Sequence, residues 1–335
     1  MSRKKRDGLL ALVQSFFHDY LRNMRGASEH TIRAYGDALR LFFAFLVHRR
    51  SGSVTELTLE DIQAEAVLAF LDQIESVRGN SPATRNCRLA AIRSFVEHLL
   101  RHDLSNADRY ARILAISKKK SSPRLVTYLE PEEARSIIEA VETKTPLGAR
   151  DRALLLFLYN TGARVSEALA VHRRELQLDR PRQVRLHGKG GKERFCPLWP
   201  ETTAALRQIV NESEDGKIFR NARGWPLTRD GVAYLLGKYV RRASERQPAL
   251  RKRRITPHVL RHSCAVALLQ AGVEVTAIRD YLGHASVATT NRYITTNLKM
   301  KRDVLEAFWK RAGLDKKPPN RWHPSPKVLA FLESL

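Results

Sequence analysis

The sequence predicts a mainly α-helical protein with one small β-hairpin, an α+β chain in two domains. Three observations lead there. Apolar residues recur every three or four positions through the first ~115 residues, the period of helices with one buried face. The segment Ser117-Lys-Lys-Lys-Ser-Ser-Pro123 is polar, charged and closed by proline, the composition of a linker. Beyond it, two short runs, 184–187 and 194–198, flank Gly188-Lys189-Gly190-Gly191-Lys192, the pattern of a hairpin with a glycine-rich turn.

The elements follow in order. Residues 9–24 show helical spacing, and Gly26 stops that helix. Ser28 is placed to cap a second helix over 29–48, where Ile32, Tyr35, Leu39, Phe42, Phe43 and Leu46 share a face. A third helix is expected from Leu59 to Ser76, with Thr58 as N-cap and Asp61 in the capping-box position. Ser81-Pro82, a cap followed by proline in the first turn, opens a fourth that continues to about Arg101. Arg33, Arg40, Arg85, Arg88 and Arg93 stud these helices, as solvated faces or as contacts to a polyanion. In the second domain helices are expected over 131–142, 148–160, 164–171, 200–212, 228–246, 256–271, 274–282 and 299–312. A last short one follows at 327–334, after Pro318, Pro319, Pro324 and Pro326. The domains are therefore 1–117, a linker at 118–126, 127–313, and a tail at 314–335.

With 335 residues and 43% hydrophobic content, the chain can bury two cores. Lys plus Arg number 59 against 35 for Asp plus Glu, a formal charge of +24, and both halves are basic. A polyanion partner, nucleic acid first, accounts for that. Cys87, Cys196 and Cys264 are far apart and odd in number, which argues against a disulfide framework or zinc knuckle and for reduced thiols. No apolar run approaches the ~18 residues of a membrane span. The basic N-terminus has no cleavage-site pattern and reads as a helix start, so a cytoplasmic, nucleoid-associated protein is expected.

Chemistry concentrates in a few segments. Arg164 lies in TGARVSE, Lys189 at the hairpin tip in HGKGGKERF, and His258 and Arg261 in TPHVLRHSCA. His284 lies in YLGHASVATT and Tyr293 in NRYI. Thr256 can cap the helix of the third segment, and Pro257 suits its first turn. His258 and Arg261, three apart, then share a face that can address one phosphate. His262 points elsewhere as a structural histidine, and Cys264 is a small core residue.

In this order the motifs strongly resemble the catalytic motifs of the tyrosine recombinase and integrase family, close to the Xer type. SEHTIRAYGDALRLFFAFL and LEPEEARSII resemble that family's core-binding region and the opening of its catalytic domain. The resemblance covers about residues 10–300. It implies a helical core-binding domain at 1–117 and a catalytic domain at 127–313. It further implies that Arg164, Lys189, His258, Arg261 and His284 activate a phosphate, with Tyr293 as nucleophile and Glu167 accompanying Arg164. The long segment after Tyr293 resembles recombinases of bacterial transposons.

Physical chemistry fits those roles. Guanidinium groups bind phosphate oxygens through planar forks and do not lose their charge. Tyrosine, with a free pKa near 10, needs nearby cations to ionise. The departing oxygen needs an acid, which Lys189 on a glycine-rich hairpin can supply, with Lys192 as its rival. No metal or other cofactor is expected. The expected partners are double-stranded DNA and further copies of the chain, or related recombinase subunits, with no membrane. The expected activity is DNA cleavage and rejoining through a covalent 3′-phosphotyrosine, for integration, excision or resolution. The alternatives are a catalytically silent DNA-binding protein of the same fold, a type IB topoisomerase-like enzyme, and a structural nucleoid protein with no need of Tyr293.

Overall fold

The computed structural model describes residues 2–283 apart from 52, 121–125 and 211–215. The chain divides into two compact units, Met1–Pro123 and Arg124–Leu335.

The first unit is helical throughout. Helix α1 (Ser2–Ser15) runs on as a π-helical segment, Phe16–Met24. Helices α2 (Glu29–Arg50), α3 (Ala64–Ser76), α4 (Pro82–His102) and α5 (Ala107–Leu114) follow. The expected caps form: Ser28 Oγ accepts from Thr31 N at 3.3 Å, and Ser81 Oγ from Thr84 N at 3.3 Å. The helix expected from Leu59 starts later. Thr58 and Asp61 do form a capping box, but it closes a 3-10 turn, Leu59–Asp61, and the chain breaks at Ile62 and Gln63 before α3. Ile62 is fully buried there, so the break inserts a side chain into the core. That core is aromatic. Phe16 meets Phe95 edge-on at 5.2 Å between ring centroids, and Phe42 meets Phe70 at 5.4 Å. Each such side chain contributes roughly 1.5–3 kcal/mol by leaving water. Helix α5, absent from the expected elements, adds Tyr110, which is buried with its hydroxyl donating to Asp103 at 2.9 Å. Arg85 lies on no open face. It is buried beside Glu75 at 3.3 Å.

The second unit sets a small sheet among helices. Helices α6 (Pro131–Glu139), α7 (Pro146–Thr161) and α8 (Val165–Ala168) lead into strands β1 (Leu176–Gln177), β2 (Gln183–His187) and β3 (Glu193–Pro197). Helices α9 (Pro200–Arg207), α10 (Arg229–Arg246), α11 (Pro257–Gln270) and α12 (Val275–Leu282) follow. The sheet is antiparallel in the order β1-β2-β3, so the expected hairpin gains a two-residue edge strand. Val184 pairs with Cys196 and Leu186 with Arg194. At the hairpin tip Gly190 and Gly191 adopt φ of 77° and 73°, a region that costs other residues energy. Residues from Ala153 through Thr161 of α7 are all buried, because α9 and α11 pack around it. Helices α6, α8 and α9 end earlier than expected, at Glu139, Ala168 and Arg207. The helices expected at 299–312 and 327–334, and the tail 314–335, lie outside the described residues. Among the described residues no helix is long and apolar enough to cross a membrane.

Candidate active site

Helix α7 ends at Gly162, which takes a left-handed conformation with φ 57°. A Cβ there would stand 2.4 Å from a Leu282 methyl and 3.3 Å from Cys264 Sγ, so the close approach of α7, α11 and α12 demands glycine. Two residues later Arg164 occupies the N-cap of α8. Glu167, one turn on, closes a capping box by accepting from Arg164 N at 3.0 Å, and it accepts from the Arg164 guanidinium at 2.5 Å. The sequence-level pairing of Arg164 with Glu167 is therefore real in the fold.

His258 and Arg261 lie on α11, with Thr256 at the N-cap position and Pro257 in the first turn. Arg261 is buried, at 3% exposure, and donates to the carbonyls of Gly162 at 2.6 Å and Leu282 at 2.7 Å. Each hydrogen bond from a charged donor contributes about 1.5–3 kcal/mol. His262 does not point away. Its ring lies 6.3 Å from that of His258, nearly parallel, since residues four apart on a helix are neighbours. Cys264 is buried as expected, and burial pushes its thiol up to about 12.

The end of α12 ties these parts together. The last carbonyls of a helix have no partner within it and carry its negative dipole end. Here three successive ones meet three arginines. Tyr281 O accepts from Arg194 Nε at 3.0 Å, Leu282 O from Arg261 at 2.7 Å, and Gly283 O from Arg164 at 3.3 Å. Gly283, in the left-handed region with φ 65°, ends the helix one residue before His284.

Electrostatics fix two protonation states. Burial works to raise the Glu167 carboxyl, but hydrogen bonds and charge from Arg194, with the Arg164 backbone and guanidinium, hold it below the usual carboxylate range. Burial, then the charges of Arg261 and Arg164, hold His258 below its usual value, so its imidazole is neutral at pH 7. Such a ring offers one N–H donor and one acceptor nitrogen. Among the described residues no group of three or more His, Cys, Asp or Glu gathers to hold a metal ion.

Arg164, His258 and Arg261 are thus brought together. The Lys189 backbone lies in the hairpin tip, while its side chain, His284 and Tyr293 fall outside the described residues. Sequence reasoning missed Arg194. Its signal was available, because the period-2 alternation of β3 puts Arg194 on the same face as buried Cys196.

Comparison with known proteins supplies the family. The phage integrase family matches residues 127–300, and the phage integrase N-terminal SAM-like domain matches residues 14–103. The chain belongs to the phage integrase family of tyrosine recombinases. The protein of Sinorhizobium fredii named integrase/recombinase y4rC is 37% identical over 334 residues, 99% of either chain. Tyrosine recombinase XerC of Pelobacter propionicus is 33% identical over 295 residues, 87% of this chain and 92% of that one. Two solved structures share the fold. One is the XerH site-specific recombinase bound to palindromic difH substrate, with TM-score 0.66 and 23% identity over 88% of this chain and 84% of that one. The other is the Tn1549 transposon integrase with transposon right-end DNA, with TM-score 0.66 and 14% identity over 89% and 98%.

Proposed function

We propose that this chain cleaves and rejoins double-stranded DNA at a specific site through a 3′-phosphotyrosine on Tyr293. The Tyr293 oxygen gives its proton to water and attacks phosphorus. The bond to the 5′ oxygen breaks, and that oxygen takes a proton from Lys189. Arg164 and Arg261 bind the non-bridging oxygens, where charge grows in the transition state. Neutral His258, with His284, completes the hydrogen bonds to the same phosphate. Rejoining reverses the steps with a new 5′ hydroxyl, so the phosphotyrosine conserves the bond energy. Integration, excision and resolution all use this chemistry on two sites, held by several copies of the chain or by related subunits.

The observation that supports the reading most is the gathering of Arg164, His258 and Arg261 around the end of α12, which runs directly into His284. The charge of +24, present in both halves, supports DNA as the partner of the helical segment 1–117 and of the catalytic segment 127–313 alike.

The test begins in cells expressing the chain. Protein–DNA adducts that survive detergent are isolated and sequenced to give the site, and a nicked duplex built on it traps the adduct in vitro. Tyr293→Phe should bind this duplex with unchanged affinity and form no adduct. Adduct at the wild-type level in that variant moves the nucleophile elsewhere. No adduct from the unaltered chain leaves a silent DNA-binding protein of the same fold.

A further inference from the structure

We infer that Arg194 is the positioning residue of this site, one guanidinium that sets Arg164, the Lys189 hairpin and the segment entering His284 in a single register. The inference rests on the activity proposed above.

Three contacts carry it. Arg194 Nη2 donates at 2.7 Å to the Glu167 oxygen that also accepts from Arg164 N, while the other Glu167 oxygen holds the Arg164 guanidinium. Arg194 Nε donates to Tyr281 O at 3.0 Å. Arg194 Nη1 fills the gap between two glycines. It lies 3.9 Å from where a Cβ on Gly188 would stand and 3.1 Å from where one on Gly283 would stand. Gly188 immediately precedes Lys189, and Gly283 immediately precedes His284. Arg194 itself sits in β3 opposite Leu186 of β2, so it moves with the hairpin.

Glu167 cannot set this register alone. Its Oε1 lies 3.7 Å from where a Cβ on Gly188 would stand, but among the described residues its carboxylate bonds only Arg164 and Arg194, whereas Arg194, anchored in β3, bonds both Glu167 and the Tyr281 carbonyl of α12. The Arg194 side chain is only 10% exposed, and its Nε and Nη2 bond protein acceptors, as an internal brace requires. Lysine could not substitute. Its ammonium is a point charge on a flexible stem, and it cannot hold a carboxylate and a carbonyl in one rigid plane.

Arg194→Met and Arg194→Lys are compared with the unaltered chain on the nicked duplex. A misplacement of about 1 Å at a reacting centre can cost ~10²-fold. Arg194→Met should therefore slow single-turnover adduct formation by about that factor, and Arg194→Lys by an intermediate amount. Site affinity should stay within about twofold, and the slope of log affinity against log salt should not change. Each phosphate contact contributes about 0.9 to that slope. Combining Arg194→Met with Glu167→Gln should cost no more than the worse single change, since both act through one linkage. If the Met variant unfolds, the Lys variant decides alone. Full-rate adduct formation by a folded Arg194 variant overturns this inference and leaves the proposed activity standing. A slope reduced by about 0.9 also overturns it, because Arg194 would then contact DNA itself. No adduct from the unaltered chain fells the proposed activity and this inference with it.

Discussion

In the first unit Phe16, Phe42, Phe70 and Phe95 are each 0–1% exposed and meet ring against ring, with Arg85 as the one buried charged group among the described residues of that interior. The second unit buries Arg150, Asp151, Glu167, Glu175 and Arg261, none more than 9% exposed. Hydrocarbon burial is non-directional and scales with area, so an aromatic core is stable and tolerant of substitutions that keep its volume. A buried ion costs several kcal/mol of solvation that only well-placed partners return. The bundle is therefore vulnerable to lost volume, the catalytic unit to lost partners. Some of the buried ions are structural, as where Asp151 joins Arg150 and the Tyr239 hydroxyl. Others, Glu167 and Arg261, converge through their partners on the end of α12.

Three experiments test that contrast. The largest effect is expected from Phe95→Ala, which should cost ~3–5 kcal/mol of bundle stability through the transfer and cavity terms. Hydrogen exchange on the intact chain should show faster exchange in α4 with α7 unchanged, and Phe95→Leu should recover most of the loss. Equal acceleration in α7 would break the contrast. Arg261→Ala comes next. It should cost roughly 1.5–3 kcal/mol of stability by stranding the Gly162 and Leu282 carbonyls. It should also slow adduct formation by ~10²-fold or more. Loss of stability with an unaltered cleavage rate would confine Arg261 to a structural part. The smallest effect concerns pH. Burial, then the charges of His102 and Arg101, lower His98 from its ordinary value of 6.5 against the pull of Asp19. Below 6.5 the unfolded chain therefore binds the proton more readily than the folded one. This contribution is complete above pH 6.5 and is lost as pH falls toward the folded value. His98→Leu should make urea midpoints less sensitive to acid between about pH 7.5 and 5.5. Identical pH dependence in wild type and variant would remove His98 from the account.

Much of this architecture is readable in the sequence, for physical reasons that also mark the failures. Ser28 and Ser81-Pro82 announce helices because capping is a local bond between a side chain and a backbone N–H three residues away. The glycines at 188–191 announce the hairpin because they alone take positive φ cheaply. Thr58 and Asp61 misled for the same local reason: a capping box closes any first turn, and only the burial of Ile62 decides that the helix does not continue. The strand β1 was missed because two residues carry no period, and α5 because its eight residues span little more than two turns. At the site, Arg164, His258 and Arg261 were legible as a motif order. For Arg194 only its inward face was legible, from the alternation of β3; its partners Glu167 and Tyr281 lie 27 and 87 positions away and carry no local signal.

At the end of α12 the three arginines meet main-chain oxygens of Tyr281, Leu282 and Gly283, not side chains of that helix. Every residue type presents the same carbonyl. This corner should therefore forgive changes of letter on the outer face of α12 and resist changes of count. One residue inserted or deleted within 275–282 would rotate the helix end by about 100° and move all three oxygens off their arginines at once. A designer grafting a new α12 should preserve its length before its sequence.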